Sequence, residues 1–83
     1  MSESNDSSNQ GRVRAAKIRE LVSQQLRFAR HQIGLTQAQL AAIAGIKQTL
    51  VSKMERGQCL TILNLTIVAQ ALDVPMARLF TDL

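Results

Sequence analysis

The chain has 83 residues, a formal net charge of +4 and a sequence pI ≈ 10.3. That length allows one domain with a modest core, so association with a partner would add stability, and no apolar run is long enough to span a bilayer. A lone cysteine, Cys59, and a lone histidine, His31, leave no disulfide or zinc framework and suit a reducing cytoplasm.

Residues 1–11, "MSESNDSSNQG", are polar and lack the apolar region of a secretory signal, so they read as a disordered tail ahead of a domain over 12–83. From Val13 to about Gln32 the chain has no Gly or Pro. Ile18, Val22, Leu26, Ala29 and Ile33 recur there at helical spacing, which predicts a long first helix closed by Gly34. Thr36 and Gln39 have the spacing of a capping box for a second helix ending at Gly45. A third helix runs from Gln48 to Arg56 and stops at Gly57. Thr61 caps a fourth, Ile62 to Leu72, ended by Asp73, and Pro75 opens a short fifth reaching Phe80. No window alternates with period two. The expected fold is therefore all-α, five helices with short connections.

Charge is uneven along the chain. Residues 12–56 carry Arg12, Arg14, Lys17, Arg19, Arg27, Arg30, Lys47, Lys53 and Arg56 against Glu20 and Glu55 alone, and the chain beyond is neutral and aliphatic. On the third helix Gln48, Thr49, Ser52, Lys53 and Arg56 share one side, while Leu50, Val51 and Met54 take the other. A helix face of amides, hydroxyls and cations without a carboxylate suits DNA. Gln can bond adenine in bidentate fashion, Lys can reach guanine, and Ser or Thr can serve bases or phosphates. With Gly45 allowing a sharp reversal before it, the segment reads as a helix-turn-helix shaped for the major groove.

The stretches "LRFARHQIGLTQAQLA", "GIKQTLVSKMERG" and "TILNLTIVAQALDVPMARLF" together resemble the Cro/C1-type, or xenobiotic-response-element, helix-turn-helix family over about two thirds of the chain. The resemblance implies a lambda-repressor-like fold and a sequence-specific regulator of transcription, most simply a repressor, bound to double-stranded DNA at a palindromic operator. Gln48, Thr49 and Lys53 match base-reading positions, with Ser52 between them. Gln37 and Arg56 match phosphate contacts, and Arg30 with Glu55 a partly buried ion pair. Four departures stand out. Lys47 replaces the usual Ser or Thr cap and brings a charge toward the phosphates, and Leu50 replaces a small or polar residue. The loop after Gly57 is about one residue short. Leu63 and Ile67 stand where Glu and Lys are common and, with Leu60 and Met76, are the expected interface of a homodimer. The alternative is that the fifth helix or Thr81–Leu83 covers them. "GIKQTLVSKMERG" is also similar to Hip-type antitoxins, so the autoregulating antitoxin of a toxin–antitoxin operon, holding a cognate toxin protein, is one expectation. A restriction–modification controller protein or a small phage-type repressor is another, and an antitoxin acting mainly by protein binding a third. No nucleophile–base pair, phosphate loop, metal-ligand spacing or carboxylate pair is present, so neither catalysis nor a cofactor or metal is expected. Arg12, Arg14, Lys17 and Arg19 read equally as a solvated helix start or a phosphate-binding arm. His31 reads as a surface residue and Cys59 as a neutral space-filler.

Overall fold

All four α-helices stop in the same way. A left-handed residue follows the last turn at Gly34, Gly45, Gly57 and Asp73. The next amide then reaches back five residues, Leu35 to Arg30, Ile46 to Ala41, Gln58 to Lys53 and Val74 to Ala69, at 2.9–3.2 Å. These closures satisfy carbonyls that a helix end otherwise leaves unpaired. Three of the closing residues, Leu35, Ile46 and Val74, are apolar and pack against the core. Each stop therefore also turns the chain inward.

The computed structural model describes the backbone of residues 2–81 and the side chains of residues 10–81. Its elements are α1 (Ser2–Gln32), α2 (Gln37–Ala44), α3 (Gln48–Glu55), α4 (Ile62–Leu72) and a 3-10 helix (Met76–Phe80), with no strand among the described residues. The capping box of Thr36 and Gln39 is formed in both directions, at 3.0 and 2.8 Å, and Thr61 Oγ1 accepts from the Asn64 amide at 3.1 Å.

The core draws on every element. Val22, Leu26 and Ala29 come from α1, Leu40 and Ala41 from α2, Val51 and Met54 from α3. Leu65, Val68, Ala69 and Leu72 come from α4, and Leu79 from the 3-10 helix. α2 packs on both α3 and α4, while α1 packs on α3 and on the 3-10 helix. This arrangement leaves one side of α3 uncovered.

Three expectations are corrected. The fifth helix is a 3-10 helix. Pro75 precedes it in an extended conformation instead of opening it, and its carbonyl accepts from Arg78 N at 2.9 Å. The segment is short, as 3-10 helices usually are, and it buries Leu79 fully. α1 begins at Ser2 and not near Val13; the tail expected over 1–11 falls mostly on side chains outside the described residues. Helical spacing on α4 predicts a core-facing stripe of Ile62, Leu65, Val68, Ala69 and Leu72, but Ile62 is 73% exposed. It lies at the edge of the stripe set by Leu65, Val68 and Leu72, in the first turn, where no neighbouring element covers it.

Candidate nucleic-acid interface

Position on α3 sorts its side chains into two sets. Val51, Met54 and Glu55 are buried. Gln48, Thr49, Lys53 and Arg56 are exposed and Ser52 half-buried, so the five polar residues line the uncovered side of the helix. Among the described residues no hydrogen bond or ion pair engages the side chains of Gln48, Thr49 or Lys53, whose donors are therefore open to a ligand. Arg56 Nη1 donates to Ser52 Oγ at 2.9 Å, one turn back. Leu50, on the other side, is half-buried against the core. Lys47 occupies the N-cap without a side-chain cap bond and is exposed. Amides at the start of α3 thus remain unpaired beside a cation, which favours an anion there.

What fixes the angle of α3 is one carboxylate. Arg30 of α1 meets Glu55 twice, Nε to Oε2 at 2.6 Å and Nη2 to Oε1 at 2.9 Å. The pair is buried, with side-chain exposures of 10% and 3%. Two further contacts orient the Arg30 guanidinium. Nη1 donates to the Leu35 carbonyl at 2.7 Å, and Nη2 meets His31 Nε2 at 3.0 Å. Gln37, the first residue of α2, donates from Nε2 to Glu55 Oε1 at 3.1 Å. Arg27 Nη1 donates to the Glu55 carbonyl, supplying the last turn of α3 with the cationic cap that a helix C-terminus favours. One residue of α3 therefore ties α1 and α2 to it.

Burial alone would push the Glu55 carboxyl upward. The Arg30 and Gln37 hydrogen bonds and the charges of Arg30 and Arg27 outweigh that, and hold it below its ordinary value of 4.5. The carboxylate stays ionised and the pair intact near neutral pH.

The structure thus gathers Lys47, Gln48, Thr49, Ser52, Lys53 and Arg56 on one surface, and places Gln37 beside it, half-buried and shared with Glu55. Arg27 was not singled out from the sequence. Its signal was there, since it lies one helical turn before Arg30 on the same face of α1. Of the apolar set on α4 and around it, Leu63 is 68% exposed, Ile67 is half-buried, and Leu60 and Met76 are half-buried against the core. Met76 Sδ also accepts from Thr66 Oγ1 at 3.3 Å. Phe28 and Phe80 are exposed. Among the described residues no group of acidic, His and Cys side chains could hold a metal ion, and no helix is long and apolar enough to cross a membrane.

Known proteins are similar to this chain. A helix-turn-helix family model matches residues 26–79. An uncharacterised HTH-type transcriptional regulator of Haemophilus influenzae is 32% identical over 50 residues, which are 60% of this chain and 51% of that protein. The chain thus spans about half of that relative's length. The control protein C.SmaI of Serratia marcescens is 34% identical over 65 residues, 77% of each chain. The crystal structure of the restriction-modification controller protein C.AhdI from Aeromonas hydrophila superposes with a TM-score of 0.71 at 35% identity. It covers 75% of this chain and 96% of that one.

Proposed function

This chain belongs to the helix-turn-helix family, and from that premise we propose that it is a DNA-binding transcriptional regulator. The α3 helix enters the major groove, where Gln48, Thr49, Ser52 and Lys53 read base edges. Gln37, Lys47 and Arg56 hold the phosphates on either side. The observation that carries this reading is the uncovered face of α3, whose polar groups are free or held only by one another and include no carboxylate. Arg30 and Glu55 serve it from behind by holding the helix in place.

Two copies act together. One recognition helix spans few base pairs, whereas a two-fold pair reads half-sites about 34 Å apart on a palindromic operator. Leu63 and Ile67, with Ile62, Leu60 and Met76 beside them, supply the apolar surface for that homodimer. The likeness to two control proteins, one of them named for restriction-modification, favours a controller-type repressor in the cytoplasm over an antitoxin with a toxin partner.

The test is binding of the purified protein to DNA from upstream of its own gene, measured by anisotropy across a salt series. Affinity is expected to fall linearly on a log–log plot, with a slope set by the number of phosphates neutralised. Binding that ignores salt, or no binding to any duplex, would remove the proposal.

A further inference from the structure

The α1 helix has a side that faces α3, and that side continues past the domain. Arg12, Ala16, Arg19, Ser23, Arg27 and Arg30 follow one another at spacings of three and four, so they share one face. The C-terminal half of this face is occupied. Arg30 and Arg27 bind Glu55, and buried Ser23 donates to the Glu20 carbonyl at 2.8 Å. The N-terminal half is not. Arg12 and Arg19 are exposed, and no hydrogen bond or ion pair among the described residues engages their side chains.

Where that unoccupied half lies is set by Gly57. A Cβ on Gly57 would sit 3.7 Å from the Arg19 carbonyl, so α1 passes directly beside the end of α3. An open cleft of about 320 Å³ lies between them, with Arg19, Ser23 and Arg27 on one wall and Arg56 and Gly57 on the other. Glu20 also lines it, its Oε2 accepting from Gln24 at 3.3 Å. Glu55 lines it as well, but its carboxylate is paired with Arg30, so Arg19, Arg27 and Arg56 face Glu20 as the one exposed carboxylate. Arg56, proposed above to meet a phosphate, lines this cleft, and Arg12 lies about 10 Å further along α1 from Arg19.

We propose that the α1 face carrying Arg12 and Arg19 binds the phosphate backbone of duplex DNA flanking the segment that α3 reads. The inference rests on the DNA-binding mode proposed above. A backbone strand passing Arg56 meets Arg19 next and Arg12 after it, a row of cations matched to a row of phosphates. Arg14 and Lys17 point to the opposite side of α1 and take no part. The contacts carry no base preference, so they raise affinity for every sequence alike.

Two double variants with the same charge change separate this from a general effect of charge: Arg12→Gln with Arg19→Gln, and Arg14→Gln with Lys17→Gln. Binding is measured on a mixed-sequence duplex several helical turns long. Loss of two phosphate contacts is expected to lower the salt slope of the first variant by about 1.8, so the wild-type advantage shrinks roughly tenfold between about 50 and 200 mM salt. The second variant keeps a slope close to wild type, and both melt like wild type. Equal slopes for the two variants, or a wild-type slope for the first, overturn the inference alone. So does a change of oligomeric state in the first variant, which would assign the face to a second copy. Absence of binding by the wild-type chain overturns this inference and the binding mode beneath it together.

Discussion

Glu55 is the residue on which the most depends. Truncating it or Arg30 to Ala leaves one charge buried without its partner, and each single variant is expected to lose about 3–5 kcal/mol in chemical denaturation. Removing both should cost less than the sum. Because the folded Glu55 carboxyl lies below its ordinary 4.5, its contribution is complete above that value and lost as pH falls through the lower folded value. Acid unfolding of Glu55→Gln is therefore expected to be less steep than wild type below about pH 4.5, from a lower starting stability. The proposed binding mode separates base reading from positioning on the outer face. Gln48→Ala or Lys53→Ala should cost roughly 1–3 kcal/mol on the operator and relax preference at one base pair, while Arg56→Ala should weaken all sequences alike. Binding to operators varied one base at a time distinguishes them. The Arg30–Glu55 pairing was legible because the resemblance supplied it. The bonds from Gln37 and Arg27 to Glu55 were not, because they depend on how three helices meet, which no local pattern records.

The start of α3 is a compromise at the scale of one element. Lys47 has extended N-cap angles, φ −76 and ψ 145, and no side-chain bond to the helix. Lys47→Ser supplies the missing acceptor, and a thermal melt should show a gain of about 0.5–2 kcal/mol. The same change deletes a cation beside the proposed phosphate path, so affinity for any duplex should fall as stability rises. A variant that gains in both would show that Lys47 has no part in binding. Helix ends were the most legible features of the chain, since Thr36, Gln39, Gly45, Thr61 and Asp73 act on their own backbone neighbours. The terminal 3-10 helix was not. Its apolar pattern marks a short helix that buries Leu79, but spacing over five residues does not separate a 3-10 helix from one turn of α-helix.

For the whole molecule the open matter is what meets the apolar side of α4. Leu63→Glu with Ile67→Lys places charges on the proposed contact, and sedimentation is expected to show a monomer with reduced affinity for a palindromic site. A variant still dimeric would move the interface elsewhere, with Phe28 and Leu21 on α1 next to be tested. Periodicity identified which α4 residues share a face. It could not tell that Ile62 stays uncovered, because that depends on where the neighbouring helices stop. The same limit applies to the basic residues of α1. Their charge was plain in the sequence, but the division between Arg12 and Arg19 on one side and Arg14 and Lys17 on the other acquires meaning only once Gly57 is seen beside Arg19.

The separation of α3 into a buried set and an open set has an evolutionary consequence. Val51, Met54 and Glu55 hold the helix, and none of them reaches the groove in the proposed binding mode. Gln48, Thr49 and Lys53 have no structural partner to lose. Mutation can therefore wander across the outer positions without encountering a folding penalty. Such a scaffold diverges readily: after gene duplication, one copy can drift to a new operator while its twin retains the old. In the proposed binding mode, exchanging those three side chains together with Ser52 should redirect the protein to another address in the genome.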